Sequence, residues 1–155
     1  MFTVDFQELM ERLVAIEIET IPTADAVPYA LHNQDGLYFT NQIGEITIGS
    51  DSEDLDAYTV TVNVLLIAGN KTEGYRGELE ITLQEHVGSV IEAFNSRQTL
   101  RSAAYNTDMD FLIEARCNLA RGLVVTDNSG TGAEQIAAVF TLTCQFQEPL
   151  EQDYP

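Results

Sequence analysis

Four carboxylates fall within six residues, at Asp51, Glu53, Asp54 and Asp56. Clustered oxygen donors are what a hard divalent cation requires. A calcium loop of the helix–loop–helix kind also needs a glycine at its sixth position and a bidentate glutamate at its twelfth. Counting from Asp51, those positions hold Asp56 and Val62. The segment therefore reads as a solvated acidic loop. A calcium-dependent binding module stays as an alternative of a different class. The glycine-rich stretch Asp127-Asn128-Ser129-Gly130-Thr131-Gly132 holds no lysine and precedes a strand pattern, so it reads as a hairpin tip and not as a phosphate loop.

Nucleophilic chemistry has little to work with. The two histidines, His32 and His86, are far apart in sequence, and neither has a His or Cys at metal-ligand spacing. Glu85 and His86 are adjacent on a helical pattern, where neighbours in sequence do not face one another. Cys117 and Cys144 alternate with apolar residues, which predicts buried, inert thiols. No pair of carboxylates stands out for glycoside chemistry. The expectation is a protein that is not an enzyme, with no cofactor and no metal.

Charge narrows the partners. Lys and Arg number 7 against 25 Asp and Glu, a formal net charge of −18. A face that binds phosphates by counterion release needs several cations together, and this chain has one lysine, Lys71, and six arginines. Sequence-specific nucleic-acid binding is not expected. The start, Met1 to Glu8, has early acids and no basic stretch, unlike a secretory signal. The longest apolar run, Val64 to Ala68, is far too short for a spanning helix of ~20 residues. Two cysteines are no disulfide framework, so a reducing compartment is expected.

The elements that must position these groups follow from periodicity. Asp5 is placed to cap a helix, with Glu8 three residues on, and Phe6, Leu9, Met10 and Leu13 form one apolar stripe. Pro22 sets the latest end of that helix. Residues 27–50 read as short strands broken by turns, Gly36 among them with a positive φ. From Ala57 to Ala68, Tyr58, Val60, Val62, Val64 and Leu66 alternate with mostly polar residues. This is a strand long enough to project beyond its own core. Leu83, Val87, Val90, Ile91 and Phe94 predict a second helix near 80–95, with Leu79 and Ile81 either opening it or forming a short strand before it. Ile113 to Leu119 and Ile136 to Phe146 predict a long C-terminal hairpin. Pairing about the Gly130–Thr131 bond sets Ala115 opposite Phe146, Cys117 opposite Cys144 and Leu119 opposite Leu142. The expected architecture is one α+β domain over residues 1–155, a twisted, mostly antiparallel sheet packed by an N-terminal and a central helix.

The order of these elements resembles that of the tail terminator proteins of tailed bacteriophages, and more broadly of small neck and tail-completion proteins. The residues that carry the likeness are the Phe6–Leu13 helix, the Tyr58–Ile67 strand, the Leu83–Phe94 helix and the Ile136–Phe146 strand. The resemblance implies a virion structural protein assembled in the host cytoplasm, a self-associating ring, usually a hexamer. Such a ring caps the tail tube, contacts tube and neck or connector proteins, and leaves a channel through which DNA passes without specific binding. No membrane is involved. Head-completion or baseplate components are the neighbouring possibilities. Six copies would carry a charge of roughly −108, a field that repels a polyanion. Within that picture Asp51, Glu53, Asp54, Asp56, Asp127 and Asn128 are the candidate subunit-interface or channel-facing positions. Val62→Asp is predicted to unfold the chain or abolish assembly, because it puts a charge on the apolar face of the long strand. Circular dichroism and light scattering check this, and a folded, fully assembled variant contradicts the facing.

Overall fold

The structure, a computed structural model, describes residues 4–26, 36–52, 55–68, 76–128 and 133–149. Helix α1 (Phe6–Thr20) starts where the sequence predicts, with the Asp5 carboxylate accepting from the Glu8 backbone N–H at 3.0 Å. The Glu8 side chain does not complete a reciprocal cap. It lies 3.6 Å from Arg12 Nε instead, one turn along the helix. The helix ends two residues before Pro22, which is excluded from continuing it.

A short strand β1 (Asp25–Ala26) pairs in parallel with Tyr38 and Phe39 of β2 (Leu37–Ser52). Strand β3 (Leu55–Ala68) follows, then α2 (Arg76–Asn95), β4 (Leu112–Asn128) and β5 (Ala133–Pro149). The five strands form one sheet in the order β1-β2-β3-β5-β4, and all pairs but the first are antiparallel. The α+β architecture is the one the sequence implies. Three details differ from expectation. Residues 37–52 are one continuous strand and not several short ones, since the bulge between Ile43 and Ile46 absorbs the interruption at Gly44 without ending the pairing. A Cβ at Gly44 would stand 3.0 Å from Thr61 Oγ1, the atom that accepts from the Glu45 N–H at 2.8 Å. Leu79 and Ile81 both lie inside α2. And β3 does not project from the core, because β2 and β5 flank it from end to end.

The hairpin register is the most instructive departure. Near the tip, Leu123 pairs with Ala138 and Val125 with Ile136, as the predicted pairing requires. Two register shifts, between Leu119 and Arg121 and between Arg121 and Leu123, then slide the strands by two residues. Below them Cys117 faces Leu142 and Ala115 faces Cys144, so the cysteines are not opposite each other. A slip of two preserves which face each side chain takes, because side chains alternate with period two. The apolar face survives the error.

That face carries Tyr58, Val60, Val62, Val64 and Leu66 of β3 and Ile136, Phe140, Leu142, Cys144 and Phe146 of β5. Helix α1 covers it with Leu9, Leu13 and Ile16, and α2 with Leu83, Val90 and Phe94. The opposite face shows Thr59, Thr61, Asn63, Thr141, Thr143 and Gln145, partly or wholly exposed, with a small buried group of Tyr38, Ile67 and Ala137.

Between α2 and β4 an irregular segment, residues 96–111, completes the core with Leu100 and Met109. It is held to α1 by Arg12, which is 3 % exposed and donates to the carbonyls of Leu100 and Thr107 at 3.1 and 2.7 Å. Leu100 takes φ 59°, a left-handed conformation that costs a branched residue about 1 kcal/mol or more. Its carbonyl meets the guanidinium there, and its side chain is fully buried. Tyr105 stacks on the same guanidinium at 4.9 Å and donates its hydroxyl to Glu11 at 3.0 Å. Glu19 adds a second fastening, accepting from the Ala103 N–H at 2.7 Å and pairing with Arg97 at 2.9 Å. Arg12→Met is expected to lower unfolding free energy by about 2–4 kcal/mol, since two carbonyls lose a charged donor in a dry setting. Urea denaturation measures it.

Candidate functional site

The two outer edges of a sheet are its chemically unfinished parts, rows of N–H and C=O groups with no neighbouring strand. On the β4 side this edge is covered where it is flattest. Asn95, the last residue of α2, accepts from the Cys117 N–H through Oδ1 at 2.8 Å. Its Nδ2 donates to the Cys117 carbonyl at 3.1 Å. The Gln98 carbonyl accepts from the Ala115 N–H at 2.8 Å. The side chain of Asn95 therefore imitates a strand. Bulges between Leu112 and Glu114 and around Arg121 break the rest of that edge.

The β2 edge is treated differently. Strand β1 covers only Tyr38 and Phe39, and from Gln42 to Ser52 no described residue pairs with its outer side. Ile46 and Ile48 stand opposite Val60 and Tyr58, on the helix-bearing face, yet they are 45 % and 66 % exposed while those partners are buried. The apolar face therefore runs on to this edge past the reach of the helices.

The acidic residues singled out by their spacing do not converge. What reads in sequence as a loop from Ser50 to Asp56 is mostly strand: β2 runs to Ser52 and β3 restarts at Leu55. Asp51 is in β2, and Glu53 and Asp54 lie outside the described residues. Asp56 is in β3 opposite Glu148 of β5, and the Tyr58 hydroxyl bridges them, 2.9 Å from Glu148 Oε1 and 3.3 Å from Asp56 Oδ2. Burial, then the two carboxylates, push the Tyr58 hydroxyl far above its ordinary range, so it remains a donor. Asp127 and Asn128 belong to the far end of β4, paired with Glu134 and Ala133. At ~3.4 Å per residue, the stretch of β5 between Glu134 and Glu148 sets the two acidic positions about 48 Å apart. Among the described residues no group of three or more His, Cys, Asp or Glu is placed to hold a metal ion.

The cysteine thiols are free and buried, and burial pushes both up to about 12, which keeps them protonated and unreactive. His86 sits half-buried on α2, and His32 lies outside the described residues. An open depression of about 700 Å³ is lined by Glu19, Arg97, Arg101, Ser102, Ala103 and Asn106. Its two guanidinium groups already face Glu19 and Asp108, at 2.9 and 2.6 Å. No described helix is long and apolar enough to cross a membrane.

Two buried ionisable groups escaped the sequence reading, and both are on α1. Arg12 and Glu17 occupy positions on the apolar stripe, three residues after Leu9 and four after Leu13, and that placement was the available signal. Glu17 is fully buried and accepts from Asn41 Nδ2 at 2.7 Å. Desolvation raises its carboxyl to about 8, only partly offset by the Asn41 hydrogen bond. Glu17 is thus mostly neutral at pH 7 and ties α1 to β2 as an acid.

No protein-family model matches this sequence, and no curated protein matches it either.

The Glu17 shift sets a pH dependence. In the unfolded chain the carboxyl ionises near 4.5, whereas the folded chain keeps the proton until about 8. The unfolded state therefore binds fewer protons between those values, and the contribution of Glu17 to stability falls as pH rises through that window. Glu17→Gln keeps the acceptor for Asn41 and removes the titration. Denaturation at pH 5, 6.5 and 8 is expected to show the variant gaining steadily on the parent as pH rises, and an unchanged difference would contradict it.

Proposed function

We propose that this protein is a virion structural subunit, a tail terminator or close neck-protein relative, that self-associates into a ring around a DNA channel. The observation that carries the reading is the open edge of β2, with Ile46 and Ile48 exposed beside an otherwise closed core. An edge of this length and composition is an aggregation hazard unless something pairs with it. A protein whose task is assembly has a use for it.

The element order supports the same reading. A capped helix, a pair of long strands, a second helix and a long terminal hairpin follow one another here as in the pattern that resembles the tail terminators. The net charge of −18 fits a channel wall that does not hold DNA, because phosphates are repelled and not bound. The polar groups of the described residues are largely engaged in holding the fold together. Arg12 and Glu19 fasten the 96–111 segment, Asn95 covers a strand edge, and Tyr58 bridges two acids. None of these arrangements leaves a nucleophile beside a base.

Light scattering coupled to size exclusion at micromolar concentration is expected to give a particle several times the 17.1 kDa protomer, six-fold for a hexamer. Negative-stain micrographs of the same fraction should show annuli. A monomer across the micromolar range would overturn the reading.

A further inference from the structure

We propose that the open edge of β2, residues 42–50, receives the β4–β5 hairpin arm of a second copy of this chain as an added strand. The inference rests on the ring reading and specifies the contact that builds the ring.

The arm meets three physical requirements. It reaches out: β3 ends at Ala68 opposite Ile136, while β4 and β5 continue to Asn128 and Ala133, three residues or about 10 Å further. It has an edge to offer: Asn95 and Gln98 cover β4 only at Ala115 and Cys117, and beyond Leu119 no described residue pairs with its outer side. And it matches in chemistry. Leu119 is 41 % exposed and sits opposite Phe140 on the helix-bearing face, the same face as Ile46 and Ile48. Residues 119–126 contain Arg121 and no acid, whereas residues 42–50 contain Glu45 and no base.

Direction agrees as well. Three antiparallel steps separate β2 from β4, so the two run oppositely within one copy. Rotation about an axis along the strands leaves each strand's direction unchanged. The β4 of one copy is then antiparallel to the β2 of the next, the better-bonded arrangement. Because the two surfaces differ, the contact is head to tail and closes into a ring when the rotation allows. Pairing β2 with β2 across a two-fold axis would instead bring like-charged edges together, stop at a dimer and leave the arm unused.

Complementation between two blocked variants tests this. Ile46→Lys/Ile48→Lys blocks the edge and leaves the arm, while Leu119→Asp/Arg121→Asp blocks the arm and leaves the edge. Circular dichroism establishes folding, and the milder Ile46→Thr/Ile48→Thr replaces the lysine pair should that pair unfold. By light scattering each variant alone is expected to be a monomer, and an equimolar mixture a one-to-one dimer, built from one intact arm and one intact edge. A folded edge variant that still forms the parent ring overturns the proposal while leaving the ring reading standing. So does an arm variant that dimerises alone, which would show two-fold β2 pairing, or a mixture that stays monomeric. A parent protein that is itself monomeric removes the ring reading first.

Discussion

The strands of this sheet are about twice as long as the helices laid against it. Strands of 14 to 17 residues span about 46–56 Å, while helices of 15 and 20 residues span about 22 and 30 Å. Two helices cannot close an apolar face of that extent, and the remaining features follow from how the deficit is met. The irregular segment 96–111 is drawn in as a third covering layer, bringing Leu100 and Met109 into the core. A segment without regular structure has no ladder of its own to hold it there. Arg12 supplies the missing donors, and a buried guanidinium facing two carbonyls under an aromatic ring is the outcome. A charge is tolerated in the core because its hydrogen bonds fasten the lid.

The same segment explains the unequal edges. Its first residues lie against β4, so Asn95 and Gln98 meet the edge groups of Ala115 and Cys117 at no further cost in chain length. Nothing comparable reaches β2 among the described residues beyond Phe39. The apolar face therefore ends in the open at Ile46 and Ile48, on the side of the sheet that the lid does not visit. Fold and candidate interface are one problem seen from two ends.

Periodicity made the interior legible. The stripe of α1, the alternation of β3 and the hairpin pattern all appear where residue types place them, because burial rewards one face of each element regardless of detail. Boundaries and register were less legible, since they depend on the partner strand. Gly44 and Gly49 looked like turn punctuation, yet β3 alongside offers a ladder that a bulge satisfies. The cysteines were set face to face on the assumption of an unbroken hairpin, and bulges near Arg121 moved them apart by two residues. The acid-rich segments drew attention through composition, but strand ends keep Asp56 and Asp127 far apart. Ile46 and Ile48 continue an alternation visible in the sequence. Their exposure was not visible, because it depends on how far α1 reaches across the sheet.

Charge and edge act over different distances, and this orders their roles in any assembly. Each copy carries −18, and repulsion between copies extends over a Debye length of roughly 8 Å at physiological salt. Backbone pairing acts only at contact, below ~5 Å between strands. Repulsion is diffuse and nearly independent of register, so it raises the threshold for every mode of association about equally. Pairing and apolar contact select among modes, because they reward only the geometry that aligns two unfinished edges. An acidic protomer with one open edge is thus guarded against indiscriminate aggregation while one specific contact remains available. The exposed isoleucines are tolerable on that account, and the sparse cations of β4, Arg116 and Arg121, bear more on partner choice than their number suggests.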